Sequence, residues 1–136
     1  MRKFLITGHG NFSSGIKSSL DLILGKTEHV SVIDAYVDGN NSIEERLYDF
    51  LNGVNVDDEV IVFTDLTGGS ITNQVLRHAL HENVHVVSGM NLPLLIEIIM
   101  ADEGSPVEEV IENAIGNARD QINYVNKLIN KTIDHD

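Results

Sequence analysis

Apolar residues along this chain follow two habits, short unbroken runs and longer stretches with helical spacing. Residues 60–63 are an unbroken run and read as a strand buried on both faces, and residues 3–7 are another short, largely apolar strand run. Between them, Ile16, Leu20, Ile23 and Leu24 repeat at i, i+4, i+7 and i+8, one face of a helix that Gly25 stops. Residues 30–36 form a second strand pattern, followed by an Asp38-Gly39-Asn40-Asn41 loop. Helical spacing returns at Ile43, Leu47, Phe50 and Leu51, with Ser42 and Glu45 placed as a capping box. After Gly68-Gly69, Ser70 is the expected N-cap of a helix carrying Ile71, Val75, Leu76, Ala79 and Leu80. Residues 84–88 read as a fourth strand.

The last third is helical. Residues 93–101 are apolar nearly all round, which predicts deep burial or a subunit interface. Ser105 and Glu108 have capping-box spacing, with Pro106 expected at the first helical position. That helix runs through Val110, Ile111, Ala114 and Ile115 to a weak point at Gly116. Residues 122–125 fit either more helix or a short strand. Strands alternate with helices four times, so the expected fold is α/β with a parallel sheet and right-handed crossovers. One domain over residues 1–130 is expected, with a tail at 131–136. Each strand's carboxyl end carries small or polar residues, which makes that edge of the sheet the functional one.

Composition narrows the partners. Nine basic against 21 acidic residues give a formal charge of −12, which disfavours nucleic acid and anionic membranes. The absence of cysteine removes disulfides and thiolate chemistry and fits a cytoplasmic protein. No apolar run approaches the roughly 20 residues of a membrane helix. The first residues pass straight into a strand, so no signal peptide is expected.

Chemistry gathers at two strand ends. Gly8-His9-Gly10 leaves an imidazole without bulky neighbours, and Thr64-Asp65 leads into Leu66-Thr67-Gly68-Gly69-Ser70. A glycine turn opening a helix is a natural anion site. If the first and third strands are neighbours, His9 and Asp65 face each other across one crevice. Asp65 would then hold the Nδ1 proton and leave Nε2 as the nucleophile. The plain alternative is an ordinary strand–turn–helix corner beside a turn-capping histidine. His78, His81 and His85 lack a carboxylate at metal spacing, His29 sits in a loop and His135 in the tail, so no metal site is expected. There is no Gly-x-Gly-x-x-Gly, no phosphate-binding Gly-Lys-Ser/Thr loop, and no nucleophile elbow around Ser13, Ser14 or Ser70. An imidazole, an orienting carboxylate and an anion-holding turn are parts for phosphoryl transfer through phosphohistidine, with no cofactor.

Three motifs in this order, Thr7-Gly-His-Gly10, Thr64-Asp-x-x-Gly-Gly-Ser70 and Ser88-Gly-Met-Asn-Leu-Pro-x-Leu95, resemble one known family. It is the IIA domain of the mannose/fructose/sorbose family of the bacterial phosphoenolpyruvate-dependent sugar phosphotransferase system. The likeness covers about residues 3–126. It implies a doubly wound, four-stranded parallel sheet with helices on both faces. It also implies a homodimer that exchanges a short antiparallel edge strand near residues 122–126. By position, His9 is the phosphorylated residue, Asp65 its Nδ1 partner, and Gly68, Gly69 and Ser70 line the phosphoryl site. Some relatives have threonine and then an aromatic after the aspartate; here Leu66 and Thr67 stand there, leaving Thr67 as the candidate hydroxyl.

The partners implied are the phosphocarrier HPr, the IIB component and, only indirectly, the IIC/IID permease in the membrane. With no Pro/Ala-rich linker to a IIB domain in the sequence, a free-standing IIA is the expectation. The related phosphodonor subunit of a dihydroxyacetone kinase and a non-catalytic binding module are the alternatives. Gly68-Gly69 favours the sugar system over the former.

Overall fold

In a computed structural model, residues 1–37, 42–79 and 83–134 are described. The chain divides into two compact units, Met1–Leu92 and Pro93–Asp136.

The first unit is built on a four-stranded, all-parallel sheet in the order β2-β1-β3-β4. Its strands are β1 (Arg2–His9), β2 (Val30–Ala35), β3 (Glu59–Thr64) and β4 (Val84–Val87), alternating with helices α1 (Phe12–Leu24), α2 (Glu44–Asn52) and α3 (Ser70–Ala79). Period-two alternation sorts the sheet residues. Leu5, Ile33, Val60 and Val62 join Leu47 of α2 and Ile71 and Val75 of α3 in one buried cluster. Phe4, Ile6, Ile61 and Phe63 are buried on the opposite face, where the Phe4 and Phe63 rings stack at 6.2 Å. A crossover of the usual right hand from β1 to β2 puts α1 on that second face, and Leu20 is its fully buried apolar residue. Helices therefore cover both faces, and the winding reverses between β1 and β3.

Local details differ from the sequence expectation where burial overrides spacing. Helix α2 starts at Glu44, and Ser42 closes only a short turn, its Oγ accepting the Glu44 N–H at 3.2 Å. Ile43 is fully buried and its N–H is taken by Gln74 Oε1 at 3.1 Å, which sets where the helix can begin. Ser70 is the first residue of α3 rather than its cap. Ile23 and Leu76, expected on buried faces, are exposed. Leu80 and the 38–41 loop lie outside the described residues.

The second unit holds α4 (Leu92–Met100), α5 (Val107–Asp120) and α6 (Val125–Asp134). Leu94, Leu95 and Ile98 of α4 are buried, as its all-round apolar pattern requires. Pro106 stands at the N-cap with φ −58° and ψ 130°, one position before the helix proper. Helix α5 continues through Gly116. A mid-helix glycine costs only about 1 kcal/mol, and Ala114 and Ala118 are buried on either side of it. Asn117 Nδ2 donates to Glu97 Oε1 at 2.5 Å, tying α5 to α4. Residues 122–124 belong to no strand or helix, and α6 begins at Val125.

Candidate active site

The carboxyl ends of β1 and β3 meet at the point where the winding reverses, the usual place for a site in an open α/β sheet. Register pairs Thr7 with Thr64, so His9 at the end of β1 and Asp65 just beyond β3 stand side by side. Gly10 follows with φ 57°, which favours glycine, and its N–H donates to the Ala35 carbonyl at 2.7 Å. Gly8 is required by close approach instead. A Cβ there would lie 3.1 Å from both Cγ and Oδ2 of Asp65 and 3.2 Å from Ser13 Oγ.

One carboxylate oxygen organises the centre. Asp65 Oδ2 accepts the backbone N–H of His9 at 2.8 Å and lies 2.7 Å from His9 Nδ1. Burial raises the Asp65 pKa, but the two His9 hydrogen bonds and the ring's charge outweigh it, so Asp65 lies below the ordinary aspartate value. An ionised carboxylate can only accept, so Nδ1 carries the proton and Nε2 keeps its lone pair. The histidine side chain is 42% exposed and the aspartate 12%. Among the described residues Nε2 has no protein partner. The Tyr36 ring lies beside the imidazole, with centroids 5.3 Å apart.

The turn after Asp65 is braced from beneath. Thr72 Oγ1 donates to the Leu66 carbonyl at 2.5 Å and lies 2.7 Å from the buried Thr64 hydroxyl. Gly68 takes φ 73°, and the Gly69 N–H folds back on the Leu66 carbonyl at 3.4 Å. The first bond of α3 runs from the Asn73 N–H to the Gly69 carbonyl at 3.0 Å, so the amides of Ser70, Ile71 and Thr72 precede the ladder. The turn passes close to the imidazole, since a Cβ on Gly69 would sit 4.0 Å from His9 Cε1. The Thr67 hydroxyl is bonded to Ser88 Oγ, just past the end of β4. The Gly69 N–H and the Thr67 hydroxyl thus have partners within the protein, whereas the Ser70, Ile71 and Thr72 amides lie ahead of the helical ladder.

His9, Asp65, Gly69 and Ser70 are thus gathered at one edge as the motifs suggested. Asp34, another strand-end residue, is spent on structure: its Oδ1 accepts the Ser14 N–H at the start of α1 at 3.0 Å. Two residues at the site carried no sequence signal. Tyr36 Oη is 2.6 Å from Ser70 Oγ, and Gln74 Nε2 lies 3.4 Å from the same phenol oxygen. His81 and His135 lie outside the described residues. Among the described residues no helix is long and apolar enough to cross a membrane.

The sequence model of the family described as EIIA-man, the PTS system fructose IIA component, matches residues 3–115. The chain belongs to this family. A curated relative, the fructose-specific EIIA component of Bacillus subtilis, is 24% identical over 83% of this chain and 79% of its own length. The mannose-specific EIIAB component of Escherichia coli is 28% identical over 87% of this chain, which spans only 38% of that longer protein. The solved structure of a phosphotransferase system EIIA from Streptococcus agalactiae superposes with a TM-score of 0.78 at 30% identity, covering 93% of this chain and 99% of that one. The chain is accordingly a IIA component of the sugar phosphotransferase system, of the fructose/mannose/sorbose kind.

Proposed function

We propose that this IIA component accepts a phosphoryl group from HPr on Nε2 of His9 and passes it to a IIB component during sugar uptake. The observation that carries this reading is the 2.7 Å contact between His9 Nδ1 and Asp65 Oδ2. It keeps the Nε2 lone pair available and balances the positive charge that grows on the ring as the new P–N bond forms. In the first transfer the bond from phosphorus to the HPr nitrogen breaks as the bond to Nε2 forms, and HPr leaves free. In the second the P–Nε2 bond breaks as phosphorus bonds to the IIB acceptor, and His9 leaves as the free imidazole. The transition state is loose, so its negative charge spreads over the equatorial oxygens. Those oxygens meet the amides that open α3 and the Ser70 hydroxyl, with Gly68 and Gly69 giving the backbone its close approach. Thr67 joins only if its hydroxyl exchanges Ser88 for the phosphoryl group. No cofactor takes part.

Partners in this reading are HPr and IIB, with the IIC/IID permease reached only through IIB, in the cytoplasm. The chain acts as a homodimer, with the segment near residues 122–126, which runs into α6 at Val125 in the single chain, exchanged as an edge strand. Exposed Ile122, Tyr124, Val125, Leu128 and Ile129 support an interface there.

Incubation with phosphoenolpyruvate, HPr and the enzyme that phosphorylates HPr from it tests the central claim. Mass spectrometry is expected to find one phosphate on His9, acid-labile and base-stable as a phosphoramidate, and none on His9→Ala. Acid-stable phosphate, or undiminished labelling of His9→Ala, rules the reading out.

A further inference from the structure

Tyr36 is the one described non-glycine residue with a positive φ, 63°. A bulky aromatic side chain is costly to hold in the left-handed region, and such outliers persist where surrounding contacts over-determine them. Here the contacts run in one direction. The Ile43 backbone N–H can only donate, and it donates to Gln74 Oε1 at 3.1 Å. That assigns the oxygen and nitrogen of the Gln74 amide. Gln74 Nε2, the donor end, is then the atom 3.4 Å from Tyr36 Oη. With its oxygen accepting from Gln74, the phenol is free to turn its own proton to Ser70 Oγ, 2.6 Å away, in a contact where either oxygen can donate. A Ser70 Oγ that accepts this proton keeps its own for another partner.

The ends of this chain of bonds differ in character. Gln74 is 6% exposed and anchored to the start of α2, whereas Ser70 is exposed at the first residue of α3. The Tyr36 ring between them flanks the His9 imidazole at 5.3 Å. We propose that Tyr36 and Gln74 are positioning residues that fix the Ser70 hydroxyl as a hydrogen-bond donor aimed at the phosphoryl group on His9. The proposal rests on the phosphotransfer reading and adds a polarity to it. Each bond in the series Gln74, Tyr36, Ser70 donates forward, so each strengthens the next and the last donor is the strongest. A serine hydroxyl without that constraint rotates freely and spends part of its time as an acceptor, which repels phosphoryl oxygens. Tyr36 also makes a second use of its place, since its ring limits how far the imidazole can swing from Asp65.

The test is a double-mutant cycle on phosphoryl transfer from phosphorylated HPr, with ³¹P NMR of the phosphohistidine as a second readout. Ser70→Ala removes the donor and slows transfer about tenfold, the scale of one hydrogen bond to a charged group. Tyr36→Phe keeps the ring and removes the hydroxyl, and it slows transfer about fivefold, somewhat less than losing the donor outright. Because Tyr36 acts through Ser70, the Tyr36→Phe/Ser70→Ala pair is no slower than Ser70→Ala alone. Tyr36→Phe also shifts the phosphohistidine ³¹P resonance while leaving circular dichroism unchanged.

Multiplicative effects in the double variant overturn the proposal, as does a Tyr36→Phe rate and resonance equal to wild type. A wild-type rate for Ser70→Ala overturns it too. If Tyr36→Phe fails to fold, Gln74→Met probes the same chain from its buried end and must again lose its effect in the Ser70→Ala background. A wild-type chain that takes up no phosphate removes the phosphotransfer reading and this proposal together. A labelled wild type with an indifferent Tyr36→Phe removes this proposal alone.

Discussion

Asp65→Asn is the sharpest test of how the site works. The substitution preserves shape and leaves an amide oxygen able to accept the His9 backbone N–H, now 2.8 Å from the carboxylate. It removes the charge facing Nδ1 at 2.7 Å. A hydrogen bond to a charged group contributes about 1.5–3 kcal/mol and a neutral one about 0.5–1.5, so roughly 1 kcal/mol is lost from that bond. Coulomb energy adds to it. Two unit charges about 4 Å apart at an effective dielectric of about 20 interact by about 4 kcal/mol. That dielectric suits a carboxylate whose side chain is 12% exposed. The ring is only partly charged at the transition state, so about half, about 2 kcal/mol, is at stake. The sum of about 3 kcal/mol corresponds to about a 10²-fold slower transfer, at roughly 1.4 kcal/mol per tenfold. The amide can also turn its NH₂ toward Nδ1 and favour the wrong tautomer, which pushes the rate the same way. Stopped-flow transfer from phosphorylated HPr measures it, with circular dichroism to verify folding. A folded Asp65→Asn protein within about threefold of wild type would mean that the carboxylate only closes the turn, since the charge argument requires about 10²-fold.

Gly8→Ala presses a methyl onto Asp65 Cγ and Oδ2 from 3.1 Å, so the carboxylate shifts by a few tenths of an ångström. Transfer should fall about tenfold, since a misplacement of about 1 Å can cost about 10²-fold; an unchanged rate refutes the tight fit. Leu47→Ala, in the fully buried core under α2, should lower the free energy of unfolding by about 2–5 kcal/mol in urea titrations, and a loss below about 1 kcal/mol contradicts that burial. Acid should destabilise the fold with a definite sign. The Lys17 ammonium holds the Asp21 pKa low, and the Asn55 backbone N–H does the same for Asp58. For Asp65, burial raises the pKa but the His9 bonds lower it further. Their contribution is complete above the ordinary aspartate value near pH 4 and is lost as pH falls through the lower folded values. Unfolding followed from pH 5 to pH 2 should show Asp65→Asn losing less stability than wild type; an identical acid dependence refutes the assignment. Light scattering at micromolar concentration should report two chains, and a monomer mass removes the exchanged-strand interface.

Much of this protein was legible in the linear pattern. The unbroken apolar run at 60–63 announced a strand buried on both faces, because a parallel strand between helices has no solvent side, and the short apolar run at 3–7 announced its neighbour. The pairing of His9 with Asp65 was readable too, since both end apolar runs and strand ends gather at one edge. Helix starts were less legible. Ser42 and Ser105 have good capping spacing, yet the helices start at Glu44 and Val107, because a buried Ile43 and the geometry of Pro106 constrain the backbone more than a side-chain cap does. The bond between Thr67 and Ser88 could not be read from spacing, because only the pairing of β3 with β4 brings the two strand ends together.

Tyr36 shows the limit most clearly. Nothing in the apolar period of β2 marks it, and its neighbours Ser70 and Gln74 are 34 and 38 positions away along the chain. Spacing within one element is a local property that the sequence carries openly. Contacts between the ends of β2, α2 and α3 exist only once the winding has reversed across β1, so tertiary structure alone decided that a tyrosine in a left-handed turn would stand beside the histidine.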